Sequence, residues 1–326
     1  MTKTNVKTSI VIPTKNDGDT LDKCLASIYS LNYPKHEFEV IIVDGHSRDN
    51  TVSIARKYGC KILFENKGTI SYARDLGVKH ALGEFVAFTD ADCVVDKNWL
   101  KELEKCFIND KIAAVGGPNV TPPDDSDFAK CAGLVLETLS KAGARYGLSG
   151  GEVREIYHNP TCNVMYRKVV LDEVGGFNHN LVTVDDEELD YRIRKKGYKI
   201  MYTPYAVVYH YRRPNWRKFA KMAYQYGVGR MQAIKLHSDM GKWFHFVPSI
   251  MLICFSLLVL LSIFGYINYY LIYYILAAYV LFLLLLSVIV CSRSKLVSSS
   301  KSVVVFLLIN VWLFMWAVGF IRGLFK

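Results

Sequence analysis

Asp90 and Asp92 stand one residue apart in Asp90-Ala91-Asp92, close behind the apolar run Phe85–Phe88. At the end of an extended run both carboxylates can reach one divalent cation, Mg2+ or Mn2+, bridging a diphosphate, because hard cations take oxygen ligands. Such a pair also occurs as an ordinary turn or cap. Asp44 closes a second apolar run, Glu39–Val43, and can accept hydrogen bonds from a nucleobase or ribose, or cap the turn that follows. Ser47 and Asp49 read as caps of the next helix. A third acidic stretch, Val184-Asp185-Asp186-Glu187-Glu188-Leu189-Asp190-Tyr191-Arg192, holds five acids ahead of an arginine. Acids stabilise a first helical turn, which accounts for most of that pattern. Clustered carboxylates also raise one another's pKa, and one held near an acceptor can serve as a general base; composition does not choose which. His210, after the apolar run Tyr205–Tyr209, is either a metal or phosphate ligand or a structural histidine. Arg212, Arg213, Arg217, Lys218, Lys221, Arg230 and Lys235 form a basic group suited to a lipid-borne phosphate and to anionic head groups alike.

The elements that would hold these residues are legible as short apolar runs at Ser9–Pro13, Glu39–Asp44, Lys61–Glu65, Phe85–Asp90 and Ala113–Gly116. Helical patterns lie between them, such as Thr20–Ser30, opened by Asp19 or Thr20, and Thr51–Tyr58, opened by Asp49-Asn50-Thr51. Alternation of this kind predicts a mostly parallel α/β sheet. Ligands of such sheets bind beyond the C-terminal strand ends. Those ends here carry Thr14-Lys15-Asn16-Asp17, Asp44-Gly45 and Thr89-Asp90-Ala91-Asp92, so three polar strand ends are expected at one site.

The chain of 326 residues is 51% hydrophobic and 21% charged, which excludes disorder and fibrous repeats. Its 40 Lys and Arg against 30 Asp and Glu give a net charge of +10, yet from Phe244 onward there is no acid at all. Phe246–Ile267, Tyr269–Cys291 and Val303–Ile321 are uncharged apolar runs of the length, about 20 residues, that crosses a bilayer as a helix. The connection Ser292–Ser302 carries Arg293, Lys295 and Lys301, which by the positive-inside rule places it in the cytoplasm. Met1–Lys7 is polar and leads into an apolar stretch too short for a signal peptide, so the N-terminal domain is expected in the cytoplasm. Trp216, Phe219, Ala223 and Tyr226 share one helical face, away from Arg217, Lys218 and Lys221, the pattern of an interfacial helix. The expected organisation is therefore a cytoplasmic domain over 1–211, a basic amphipathic interfacial segment over 212–243, and a multi-pass cell-membrane domain over 244–326. The eight cysteines contain no close pair and read as reduced. Nucleic acid is not an expected partner, because the basic residues gather beside the spans and no recognition motif is present.

Taken in order, several segments resemble the family-two inverting glycosyltransferases of GT-A fold. They are Ser9-Ile10-Val11-Ile12-Pro13-Thr14-Lys15-Asn16, Val43-Asp44-Gly45-His46-Ser47-Arg48-Asp49-Asn50-Thr51, Ala73-Arg74-Asp75-Leu76-Gly77, Thr89-Asp90-Ala91-Asp92, Gly175-Gly176-Phe177 and Asp185–Arg192 with Gly197. The resemblance implies a Rossmann-like GT-A domain, followed here by the interfacial helix and three transmembrane helices. It implies a UDP-sugar or GDP-sugar donor bound by Pro13, Thr14, Asn16, Asp44, Arg74 and Asp90, with Asp90 and Asp92 at the metal. Asp186 is implied as the base that deprotonates the acceptor hydroxyl. Asn163, Asp185, Arg192, His210, Arg213 and Arg230 are expected on the acceptor or phosphate side. The family's usual Glu-Asp pair appears here as Asp185-Asp186. The Gln-x-x-Arg-Trp motif of processive polysaccharide synthases has no counterpart, since Gln225–Arg230 has a different spacing and no Trp.

A polyprenyl phosphate is already an anionic nucleophile, whereas a sugar hydroxyl needs a base. The expected function is therefore transfer of one sugar to a hydroxyl of a lipid-linked saccharide at the cytoplasmic face. The alternatives are a polyprenyl (dolichyl) phosphate sugar synthase and, more remotely, an inactive nucleotide-sugar-binding scaffold.

Overall fold

The computed structural model describes residues 6–139 and 151–326; most of the polar lead-in Met1–Lys7 lies outside them. In chain order the elements are β1 (Thr8–Thr14), α1 (Leu21–Tyr29), β2 (Phe38–Asp44), α2 (Thr51–Lys57), β3 (Lys61–Phe64), α3 (Ile70–His80), β4 (Phe85–Phe88), β5 (Cys93–Val95), α4 (Trp99–Glu104), β6 (Ile112–Gly116), β7 (Asn119–Val120) and α5 (Asp127–Leu139). Then come β8 (Arg154–Ile156), β9 (Val164–Arg167), α6 (Lys168–Val174), α7 (Asp185–Lys195), β10 (Lys199–Tyr202), β11 (Val208–His210), α8 (Trp216–Leu236), α9 (Trp243–Ile263), α10 (Tyr269–Arg293) and α11 (Ser302–Leu324). The described residues fall into two compact units, the first drawn from Met1–Pro122, Ser140–Asn180 and Asp185–Tyr211, the second from Pro123–Leu139, Leu181–Val184 and Arg212–Lys326.

The first unit is built on a sheet of order β3-β2-β1-β4-β9-β6-β10-β8. β1 is buried on both faces, which is why its sequence is a continuous apolar run rather than an alternating one. Ile10 and Ile12 pack with Leu21, Cys24, Leu25 and Ile28 of α1. Val11 faces the opposite core, with Ala73 and Val78 of α3. Strands β3, β2, β1 and β4 run parallel, so Thr14 and Asp44 stand side by side at their C-terminal ends, and Phe88 ends the neighbouring strand. β9 runs antiparallel to β4 and pairs Val164 with Phe88, so the residues just before β9 join the same edge. Thr89 and Asp90, read from sequence as the end of a strand, lie beyond the ladder, which ends at Phe88. A small second sheet, β5-β11-β7, sets His210 opposite Cys93.

The second unit holds α5 and α8–α11; nothing in its sequence sets α5 apart from the α/β domain. α9, α10 and the segment Ser299–Leu324 are long and apolar enough to cross a membrane. Large apolar side chains such as Ile253, Leu257 and Leu260 on α9 and Tyr274, Leu281 and Phe282 on α10 are exposed, a surface suited to lipid rather than water. Tyr279 Oη donates to Asn310 Oδ1 at 2.8 Å, tying α10 to α11.

The apolar face of α8, expected against lipid head groups, is covered instead by α11. Phe219 and Ala223 are fully buried, and the Phe219 and Tyr226 rings lie 5.7 and 5.9 Å from the Trp312 ring. Glycines permit that approach: a Cβ at Gly319 would lie 2.1 Å from the Tyr224 carbonyl oxygen, and one at Gly227 2.3 Å from that of Trp316. Small residues that let two backbones meet are a common basis of helix association in membranes. Gly319→Leu is accordingly expected to destabilise the detergent-solubilised protein by about 1–3 kcal/mol, read as a lowered unfolding midpoint, whereas Ile253→Leu on the exposed face of α9 leaves it unchanged.

Candidate active site

The loops after β1 and β2 are locked together. Asn16 holds a left-handed φ of 57°, which lets its backbone N–H donate to Ser47 Oγ while its own Oδ1 accepts from Arg48 N, both at 2.8 Å. Asp44 is fully buried and accepts from Ser47 N at 2.8 Å, from Ser47 Oγ and, more weakly, from Thr14 Oγ1 at 3.3 Å. The capping role weighed for Asp44 is thus visible, and Thr14 and Pro13 lie beside it on β1. Oδ2 of a carboxylate accepts more than one donor, so the turn does not exhaust it.

At the end of β4, Cys93 N donates to the Asp90 carbonyl at 3.0 Å, a turn that brings the Asp90 and Asp92 side chains toward β11. His210 Nε2 lies 3.2 Å from Asp92 Oδ1. Ligand atoms of Asp90, Asp92, Cys93 and His210 all fall within 4.8 Å of one another, a spacing that suits a single divalent cation. Burial pushes the Cys93 thiol well up, and the two carboxylates and the imidazole are the oxygen and nitrogen donors of the cluster. Of the roles open for His210, its position beside Asp92 in this cluster is compatible with that of a metal ligand.

Arg74 and Asp185 form a buried ion pair, with Nη1 to Oδ2 at 2.6 Å, and Ser71 Oγ donates to the same oxygen at 3.0 Å. Burial alone would lower the Arg74 pKa, but the surrounding carboxylates Asp185, Asp90 and Asp186 overcome it and hold the guanidinium charged. Arg74 is thus the cation common to the strand-end carboxylates and to α7. Arg74→Met would leave Asp185 buried without its counter-charge, at an expected cost of about 3–5 kcal/mol in the unfolding midpoint of the full-length protein.

Val184, a β-branched residue at a left-handed φ of 68°, stands immediately before α7. Such a conformation is strained and is characteristic of functional turns. Asp186 accepts from Glu187 N at 2.9 Å and from Thr161 N at 3.3 Å, and its side chain keeps 16% of its surface exposed. Asp185 is only 5% exposed and Asp190 fully buried, so among these three acids Asp186 is the accessible one. His158, which the sequence reading missed, stands beside it. His158 Nδ1 lies 2.8 Å from Asp190 Oδ2, and His158 Nε2 lies 3.8 Å from Asp186 Oδ2. Burial raises the Asp190 pKa, against which His158, Asn159 N and Tyr166 Oη act as donors.

Other expected acceptor-side residues are occupied structurally. The Asn163 carboxamide is buried, donates to the Pro118 and Ala206 carbonyls at 2.8 Å each, and accepts from Trp99 Nε1 at 2.7 Å. It braces the edge and presents no atom to an acceptor. Arg192 pairs with Glu188 at 2.9 Å and donates to the Gly176 carbonyl, which fixes the Gly175-Gly176 turn. In the second unit, Arg230 is buried on α8 and Arg213 is exposed.

A mostly parallel sheet with a carboxylate pair at the end of its fourth strand, a neighbouring histidine and an accessible acid at a helix start is the architecture of a GT-A glycosyltransferase. Residues 9–175 match the Glycosyl transferase family 2 domain, about half of the chain, and the protein belongs to that family. It is 29% identical over 240 residues to glycosyltransferase AglE of Haloferax volcanii, covering 71% of this chain and 75% of that protein. It is 27% identical over 235 residues to the dolichyl N-acetyl-alpha-D-glucosaminyl phosphate 3-beta-D-2,3-diacetamido-2,3-dideoxy-beta-D-glucuronosyltransferase of Methanococcus voltae, covering 68% of this chain and 72% of that one. Among solved structures it resembles the mannosyltransferase PcManGT from Pyrobaculum calidifontis in complex with GDP-Man and Mn2+, with a TM-score of 0.68 at 18% identity over 98% of this chain and 87% of that chain.

Proposed function

We propose that the protein is a membrane-anchored inverting glycosyltransferase that moves one sugar from a nucleotide-sugar to a hydroxyl of a lipid-linked saccharide. The observation that carries this reading is the accessible carboxylate of Asp186, held by two backbone N–H groups at the edge where Asp90, Asp92 and Arg74 also lie. The Methanococcus voltae relative, named for transfer to a sugar carried on dolichyl phosphate, supports the acceptor class.

In this reading the β1 and β2 ends, with Pro13, Thr14, Asn16 and Asp44, receive the nucleoside. Asp90, Asp92 and His210 would hold a divalent cation, and an imidazole nitrogen among carboxylates favours Mn2+ over Mg2+. When bound, such an ion neutralises charge developing on the departing diphosphate. Arg74 keeps Asp185 in place and adds positive charge near the same group. Asp186 takes the proton from the acceptor hydroxyl as its oxygen attacks the anomeric carbon opposite the leaving diphosphate, which inverts that centre. The exposed Arg213 is proposed to meet the acceptor's phosphate, from which burial on α8 withholds Arg230, and the exposed Arg217, Lys218, Lys221 and Lys235 the anionic head groups. The α/β domain and the basic loop with Arg293, Lys295 and Lys301 face the cytoplasm.

The test is transfer of labelled sugar from a panel of UDP- and GDP-sugars into butanol-extractable lipid by membranes containing the full chain. At least one donor is expected to label lipid with Mn2+ and none with EDTA. Label that persists undiminished in EDTA overturns the metal assignment, and no labelling from any donor overturns the transferase reading.

A further inference from the structure

His158 sits between two carboxylates, and its surroundings fix which nitrogen carries the proton. Its side chain is only 9% exposed. Asp190 accepts from Asn159 N at 3.0 Å and from Tyr166 Oη at 2.8 Å, and His158 Nδ1 approaches the same carboxylate at 2.8 Å. A carboxylate ringed by donors acts as an acceptor, so Nδ1 bears the hydrogen and Nε2 keeps its lone pair. Nε2 is buried and has no hydrogen-bond partner, while the nearest carboxylate oxygen on its far side, Asp186 Oδ2, lies 3.8 Å away. An unsatisfied buried nitrogen calls for an explanation, and a site awaiting a proton is one. The distance is too long for a hydrogen bond, but catalytic contacts commonly tighten once substrate is bound.

We propose that His158 is a positioning residue for the Asp186 base: Asp190 fixes the imidazole with Nε2 turned toward Asp186, and the proton removed from the acceptor hydroxyl passes from Asp186 to Nε2. This rests on the reading of Asp186 as the base. The acceptor O–H bond breaks as its oxygen bonds to the anomeric carbon, and the electron pair of the broken sugar–phosphate bond leaves on the nucleoside diphosphate. The proton moves to Asp186 and then to Nε2, giving an imidazolium between two carboxylates, and is lost to water after product release. The charged and titratable groups that face the imidazole are Asp186 and Asp190 of α7, with Tyr166 of β9 on the far side of Asp190; Arg74 of α3 acts on Asp186 while paired with Asp185. Nearby, Arg194 donates to the Tyr157 carbonyl.

The distinguishing variant is His158→Asn, whose amide can still donate to Asp190 in place of Nδ1 but has nothing in place of Nε2. The full-length enzyme carrying it is expected to lose roughly 10- to 100-fold in kcat with the KM for donor unchanged, and His158→Gln, which lacks a basic nitrogen, to lose as much. In an Asp186→Asn background, His158→Asn is expected to cause no further loss, because the two groups act as a unit. Wild-type kcat in a folded His158→Asn enzyme, or equal losses in both backgrounds, overturns the proposal and leaves Asp186 standing as base. Full activity in Asp186→Asn alone overturns the base reading itself, and the role of His158 with it.

Discussion

Asp186→Asn is expected to lower kcat by about 10²- to 10⁴-fold, with little change in the KM for donor, measured as labelled sugar transferred to lipid-linked acceptor. The change is isosteric, and the side-chain carbonyl can still accept from Glu187 N, so the start of α7 survives with only the longer 3.3 Å contact from Thr161 N given up. What is lost is a proton acceptor for a hydroxyl that is almost wholly un-ionised near neutrality. Asp185→Asn makes the contrast. That side chain binds Arg74 and Ser71 and is nearly inaccessible, so its replacement is expected to lower the unfolding midpoint more than it alters the chemistry. A kcat near wild type in Asp186→Asn would show that the acceptor arrives already ionised.

The second large effect is expected at Asp92. Asp92→Asn removes one of two carboxylates from the cluster with Asp90 and His210 and loosens the partner of the imidazole, 3.2 Å away. Transfer is expected to fall by roughly 10³-fold, in line with the several kcal/mol that a bound cation contributes at a developing anion. Direct Mn2+ titration by electron paramagnetic resonance should show the matching loss of affinity in the variant. Unchanged Mn2+ binding would move the metal away from Asp92.

Much of the sheet and of the donor side is legible in the sequence because it depends on local pattern. Continuous apolar runs at β1, β2 and β4 announce strands buried on both faces, and their polar ends announce the site. The acceptor side is less legible because long-range packing decides it. The five acids from Asp185 to Asp190 look alike in sequence; the burial of Asp190 and Glu188 and the pairing of Asp185 with Arg74, 111 residues earlier, set those three apart from Asp186. His158 escaped notice because it lies outside every strand and motif, and its meaning comes from Asp190, 32 residues on. Asn163 resembles a ligand-facing residue until Trp99 and two carbonyls claim its amide. The apolar stripe of α8 obeys the amphipathic pattern, yet Gly227, Gly319 and Gly323 allow a protein partner where the pattern anticipates lipid.

The most direct measurement supplies membranes containing the full chain with the active labelled donor and, in parallel, either bare polyprenyl phosphate or a polyprenyl-linked sugar. Label entering only the pre-glycosylated lipid, in a product of inverted anomeric configuration, is the predicted result. Label entering bare polyprenyl phosphate would contradict it, and would make the protein a polyprenyl-phosphate sugar synthase that has no need of Asp186 as a base.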